Sequence, residues 1–133
     1  MKSRWIRHND ASIFHLDYAG FKNDIAALRV EVRDADREMM RERKGSVLAL
    51  IDLRDTVASG AVVQLFKESS AETTPFIRRH ALIGITGLKR YLADKVAQLA
   101  GRPMRLFTTE QEALDWLASE GNLEVGEVIG VKM

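Results

Sequence analysis

The chain has no cysteine, which excludes a disulfide scaffold, a thiolate metal centre and cysteine catalysis. It has no long hydrophobic run either. The longest aliphatic stretch is Val47–Ile51, far too short to span a bilayer. The opening residues, MKSRWIRHND, hold no apolar segment of the kind a secretion signal needs. A cytoplasmic protein without a transmembrane segment is therefore expected. Charge of one sign is also missing: 20 Lys and Arg stand against 19 Asp and Glu, leaving +1. That balance gives no overall attraction to a polyanion. With only 2 prolines, there is no Pro-rich linker, and no low-complexity segment or internal repeat is seen. Chemistry-bearing motifs are absent as well: no P-loop, dinucleotide fingerprint, nucleophile elbow, Ser-His-Asp order or pair of catalytic carboxylates. No catalytic residue and no cofactor is assigned. His8, His15 and His80 all fall in predicted strands without H-x-x-x-H spacing, so no metal site is assigned either.

What is present is ordinary for a folded protein. Of the 133 residues, 46% are hydrophobic and 29% charged, which fits one soluble domain burying roughly two-thirds of its chain surface. Short apolar runs alternate with amphipathic ones. Arg4–His8 and Ser12–Asp17, separated by Asn9-Asp10, read as an antiparallel hairpin. A helix of about 20 residues follows, capped by Asn23 or Asp24 and stopped by Gly45, with Ile25, Leu28, Val32, Ala35 and Met39 on one face. SVLALID at 46–52 is nearly continuous apolar sequence, as a strand covered on both faces should be. A helix from about Ser59 to Ser70 comes next, then a strand at His80–Ile85. Leu88, Leu92, Val96 and Leu99 mark another helix, and Met104–Phe107 a short strand. Thr109 and Glu112 form a T-x-x-E box opening the last helix. Its Trp116 and Leu117 are expected under the sheet.

The order β-β-α-β-α-β-α-β-α predicts an α/β domain with a mostly parallel sheet, over residues 1–121. Residues 122–133, NLEVGEVIGVKM, are a C-terminal extension too apolar to hang in solvent. They are expected to add an edge strand or to contact a second copy in a homodimer.

With these stretches in view, SVLALID at 46–52, ALIGITGLKRYL at 81–92 and LFTTEQEALDWL at 106–117 together resemble the small bacterial STAS-like proteins. These are the stage II sporulation protein AA-like group of the CRAL-TRIO-related lipid-binding superfamily. The resemblance covers about residues 5–118 and implies a five-stranded sheet in a superhelix of β-α units. Better-known relatives are anti-anti-sigma factors, which bind a kinase-like partner and are switched by phosphorylation of a Ser that follows an Asp at the start of the second helix. Here Ser59 stands near that place but follows Ala58, while Asp55-Thr56 has the acid–hydroxyl order several residues earlier.

Ligands of parallel α/β sheets meet the loops at the carboxyl ends of the strands, and two such loops carry candidates. In the first, Thr56 and Ser59 are hydroxyls at a helix start, suited to capping it or to accepting a phosphate there. Asp52 and Asp55 are their supporting residues, Asp52 as strand end or as the group that orients a hydroxyl. In the second, Thr86, Gly87, Lys89 and Arg90 are a candidate anion site, where cations and free amides could converge, or else Lys89 and Arg90 point out into water with Gly87 allowing the turn. From Phe76 to Phe107 there are seven basic residues against Asp94 alone, and from Thr108 to Val131 six acidic residues and no basic one. On different faces these stretches would make the molecule dipolar, suited to head-to-tail association or to a charged protein partner; lying together, they neutralise each other. Tyr91 is the lone aromatic residue among those cations, so nucleic acid is not the expected partner. The function expected is a non-catalytic regulatory or protein-binding module. The alternative is a carrier or sensor of a small apolar or anionic ligand, lipid-like or phosphate-bearing.

Overall fold

The computed structural model describes residues 1–84, 104–119 and, as backbone, 129–131. Strands β1 (Arg4–His8) and β2 (Ala11–Asp17) form the expected hairpin. Its turn residues Asn9 and Asp10 have φ of 48° and 66°. Two successive positive values match the right-handed twist of the strands they join, and Asn and Asp tolerate them.

Helix α1 spans Ile25–Met39, with the Asp24 carboxylate accepting the Ala27 N–H at 3.0 Å. At 15 residues it is shorter than expected. Arg41, Glu42, Arg43 and Lys44 follow and offer no apolar side chain to bury, so continuing the helix gains nothing from packing. Gly45, at φ 74°, belongs to the turn beyond. Strand β3 is Val47–Asp52 and helix α2 is Gly60–Thr73. A 3₁₀ turn at Thr74–Phe76, containing Pro75, leads into β4, Ile77–Ile83. Then come β5 (Met104–Leu106), helix α3 (Glu110–Ala118) and β6 (Ile129–Val131).

The sheet is six-stranded, in the order β1-β2-β3-β4-β5-β6. Among the described residues only β1–β2 is antiparallel; every other neighbouring pair is parallel. The protein is thus α/β with a mostly parallel sheet. The five expected strands are joined by β6, whose Ile129 lies opposite Met104 at the edge. Among the described residues no helix is long and apolar enough to cross a membrane.

Period-2 alternation sends neighbouring residues of each strand into different cores. Phe14, Ala49 and Leu82 meet Leu28 and Val32 of α1 and Leu65 of α2. Ile13, Leu50 and Ile83 meet Ala113, Leu114 and Leu117 of α3. The continuous apolar run of β3 is therefore divided between two helical layers. On α3, Leu117 is buried as expected, whereas Trp116 is only partly covered. Adjacent helical residues point about 100° apart, so one faces the sheet and the other its rim. Trp116 lies at that rim, 5.6 Å from the Phe107 ring.

A buried carboxyl sits between α1 and α2. Asp36 accepts a hydrogen bond from the Ser69 hydroxyl at 2.8 Å. Burial, aided by the charge of Glu72, pushes its pKa up to about 6 against the opposing effect of the Ser69 hydrogen bond. The unfolded chain releases this proton near pH 4. Between about pH 4 and pH 6 the folded state therefore holds a proton that the unfolded state has lost, and stability falls as pH rises. Asp36→Asn should stabilise the protein by about 1–3 kcal/mol at pH 8 and by much less at pH 4. Urea unfolding at both pH values checks this; an equal effect at both contradicts it.

Candidate functional site

The loop after β3 is fixed before it reaches α2. Tyr18 N–H donates to the Asp52 carbonyl at 3.0 Å, Gly20 N–H to Arg54 at 2.9 Å and Lys22 N–H to Asp55 at 3.0 Å, while Val57 N–H donates back to Lys22 at 2.9 Å. On the other side Leu53 N–H donates to the Ile83 carbonyl at 3.0 Å. Thr56 closes this ladder. Its hydroxyl donates to the Tyr18 carbonyl at 2.6 Å and accepts from Phe21 N–H at 3.1 Å. The side chain is 2% exposed, so Thr56 is a clamp between loops, neither the cap of α2 nor a hydroxyl at the surface. Burying it satisfies polar backbone groups that the irregular chain would otherwise leave unpaired.

Ser59 is the cap. Its side chain accepts the Val62 N–H at 3.3 Å, and the residue is exposed. No acidic residue occupies the first turn of α2. Arg54 and Asp55 are exposed beside it, Asp55 at φ 59°, and Val57 is 43% exposed. A recess of about 160 Å³ lies between the starts of α1 and α2, lined by Lys22, Asp24, Leu28, Val57, Ser59 and Val62.

Asp52 turns away from both hydroxyls. Its place in β3 puts its carboxylate on the α3 side of the sheet. There Oδ1 accepts from Arg54 N–H at 3.1 Å and from Arg54 Nε at 3.0 Å, and Oδ2 accepts from Arg54 Nη2 at 2.6 Å. The expected role of orienting Thr56 or Ser59 therefore gives way to a pairing with Arg54. The same Nη2 donates to Glu110 Oε1 at 3.1 Å. Behind them His15 Nε2 lies 3.6 Å from Asp52 Oδ2, with both side chains almost wholly buried. Burial works against the Asp52 charge, but the side-chain and backbone hydrogen bonds from Arg54 outweigh it and hold the carboxyl below its ordinary range. The guanidinium is pushed reciprocally above its own ordinary value, first by its hydrogen bond to Asp52. Glu110 stands in the first turn of α3, where the helix dipole favours a carboxylate. That helix opens as the T-x-x-E box predicted, with Thr109 Oγ1 accepting the Glu112 N–H at 3.2 Å.

Arg54 and Glu110 were not among the sequence candidates, and His15 entered only as one of three strand histidines to which no metal site was assigned. They come from three separate elements, and no local spacing links them. The available signals were the in–out alternation of β2, which places His15 on the Asp52 face, and an Arg two residues past a strand that ends in Asp.

Thr86, Gly87, Lys89 and Arg90, the expected anion-binding set, lie outside the described residues, as does the expected helix at Leu88–Leu99. Within the basic stretch, Arg79 is no surface cation. It is 1% exposed and donates to the Trp116 and Ser119 carbonyls at the end of α3.

A second concavity lies between α2 and the sheet, lined by Leu16, Tyr18, Val62, Phe66, His80 and Leu82 among others, with a volume of about 70 Å³. Pockets for drug-sized ligands run to roughly 300–1,000 Å³, so this cleft is small for a lipid tail. No protein-family model, curated protein or solved structure matches the chain.

Proposed function

We propose that the protein is a non-catalytic, protein-binding regulatory module of STAS-like fold that meets its partner with residues 54–59 and the start of α2. One observation carries this reading: the loop backbone is pinned on both sides while Arg54, Asp55, Val57 and Ser59 stay exposed. A surface already ordered before contact loses little conformational entropy on binding. Val57 supplies an apolar anchor beside the charged Arg54 and Asp55. Ser59 supplies the switch. A phosphate there gains the free amides and dipole of α2, with no first-turn carboxylate to repel it.

Carriage or sensing of a small ligand is the second reading, favoured by the apolar cleft under α2. Its volume places it behind protein binding.

The test is a photo-cross-linking amino acid at position 57, with position 30 on α1 (Val30 is 61% exposed) as control, in cells of the organism that makes the protein. Position 57 is expected to give one discrete protein adduct, lost with Ser59→Asp, and position 30 none. Asp caps a helix as well as Ser does, so α2 survives that substitution. No adduct from position 57, or the same adduct from both positions, overturns the proposal.

A further inference from the structure

The cluster behind Arg54 is built from donors that suit a metal ion. His15, Asp52 and Glu110 each offer one ligand atom, and these atoms all lie within 4.8 Å of one another. His15 Nε2 is enclosed and has no hydrogen-bond partner, which is costly for a buried ring nitrogen. It points at Asp52 Oδ2 from 3.6 Å. That separation is too long for a hydrogen bond. It is close to the roughly 3.3 Å between two ligand atoms on a tetrahedral ion with bonds of about 2.0–2.1 Å.

A cation already joins the two carboxylates. Arg54 Nη2 contacts Asp52 Oδ2 at 2.6 Å and Glu110 Oε1 at 3.1 Å. The Arg54 side chain is 56% exposed and so can swing into water. When it leaves, Asp52 Oδ1 keeps the Arg54 backbone N–H at 3.1 Å. That contact fixes the carboxylate with Oδ2 toward His15, as an outer-shell hydrogen bond orients a metal ligand.

We propose that His15 Nε2, Asp52 Oδ2 and Glu110 Oε1 bind a divalent transition metal of the zinc class, in competition with the Arg54 guanidinium. One imidazole and two carboxylates form a donor set such ions accept. The fourth position is left to water. The ion gives the enclosed Nε2 the partner it otherwise lacks, and it ties β2, β3 and α3 together. This inference shares Arg54 with the protein-binding reading but otherwise uses the α3 side of the sheet, and zinc affinity is read independently of the cross-link at position 57.

Isothermal titration of the purified chain with Zn²⁺, and visible absorption on adding Co²⁺, test it directly. One ion per chain is expected. Arg54→Gln should tighten binding about tenfold or more by removing the competitor, and Glu110→Gln, which removes a ligand outright, should weaken it by more than the roughly 10–100-fold that loss of an outer-shell partner costs. Glu110 is partly exposed, so that variant folds even where His15→Gln does not. His8 and Asp115 form another imidazole–carboxylate pair, at 2.7 Å, and His8→Ala is expected to leave the affinity unchanged. The proposal is overturned by a wild-type chain that binds no zinc. It is equally overturned if Glu110→Gln binds as tightly as wild type, or if His8→Ala abolishes binding, because the contacts are then an ion-pair network only.

Discussion

Gly84→Ala is expected to cost more than about 3 kcal/mol, enough to unfold a large share of a marginally stable domain. Gly84 follows β4 at φ 87°, a conformation that L side chains rarely adopt. A Cβ there would lie 2.8 Å from Arg54 Cα and from the Leu53 carbonyl carbon, and closer still to Arg54 N. All of these are backbone atoms, so no rotamer change relieves the clash. The loop cannot retreat without cost. Leu53 N–H is bonded to the Ile83 carbonyl, and the Arg54 carbonyl accepts from Gly20 N–H. Left-handed strain alone contributes about 1–2 kcal/mol, and displacement of these hydrogen bonds adds the rest. Urea denaturation measures the loss. A value below about 1 kcal/mol would show that the two chain segments do not cross so closely. The same substitution pushes on Arg54, so surviving folded protein should also lose the fixed geometry of the 54–59 loop.

Arg79→Met should destabilise the protein by about 2–4 kcal/mol while nearly conserving volume. Among the described residues Arg79 is the largest fully buried side chain, and a cation in that position demands an explanation. Its Nη1 donates to the Trp116 carbonyl at 3.0 Å, to the Ser119 carbonyl at 2.8 Å and to the Ser119 hydroxyl at 2.9 Å. These acceptors lie at the carboxyl end of α3, where the helix dipole calls for positive charge and the Trp116 carbonyl, already accepting from Ser119, has a further lone pair to offer. The guanidinium also sits 5.7 Å from the centre of the Trp116 ring, adding a cation–π contact. Methionine fills the space but donates nothing. The expected signature is therefore local as well as global: faster amide hydrogen exchange through α3, including Leu117, along with a lower urea midpoint. Unchanged exchange in α3 would mean that packing of Ala113, Leu114 and Leu117 holds the helix without Arg79.

Arg79 also marks the boundary of what a sequence reading can reach. As one of seven basic residues between Phe76 and Phe107 it looks like surface charge. Only alternation along β4 and the arrival of α3 convert it into a buried cap. Trp116 and Leu117 pose the same difficulty. A helix with both residues was legible, but which one faces the sheet was settled by how α3 rests against β2, β3 and β4.

The sequence by itself determined the features that depend on neighbours within about four positions. Asn9-Asp10 makes the hairpin turn because those two residues accept positive φ. Ser59 and Thr109 start helices because each hydroxyl reaches an amide three residues on. Val47–Asp52 is a strand between two layers because nearly every side chain in it is apolar. The tertiary structure decided everything that joins distant segments. Thr56 is buried because its hydroxyl bonds a carbonyl 38 residues away, at Tyr18. Arg54 meets Glu110 across 56 residues, and His15 meets Asp52 because β2 and β3 lie side by side. Caps, turns and periodicity act through the few covalent bonds separating near neighbours. The identity of a distant partner depends instead on strand order, register and the face each helix takes, and no local spacing of residues encodes those.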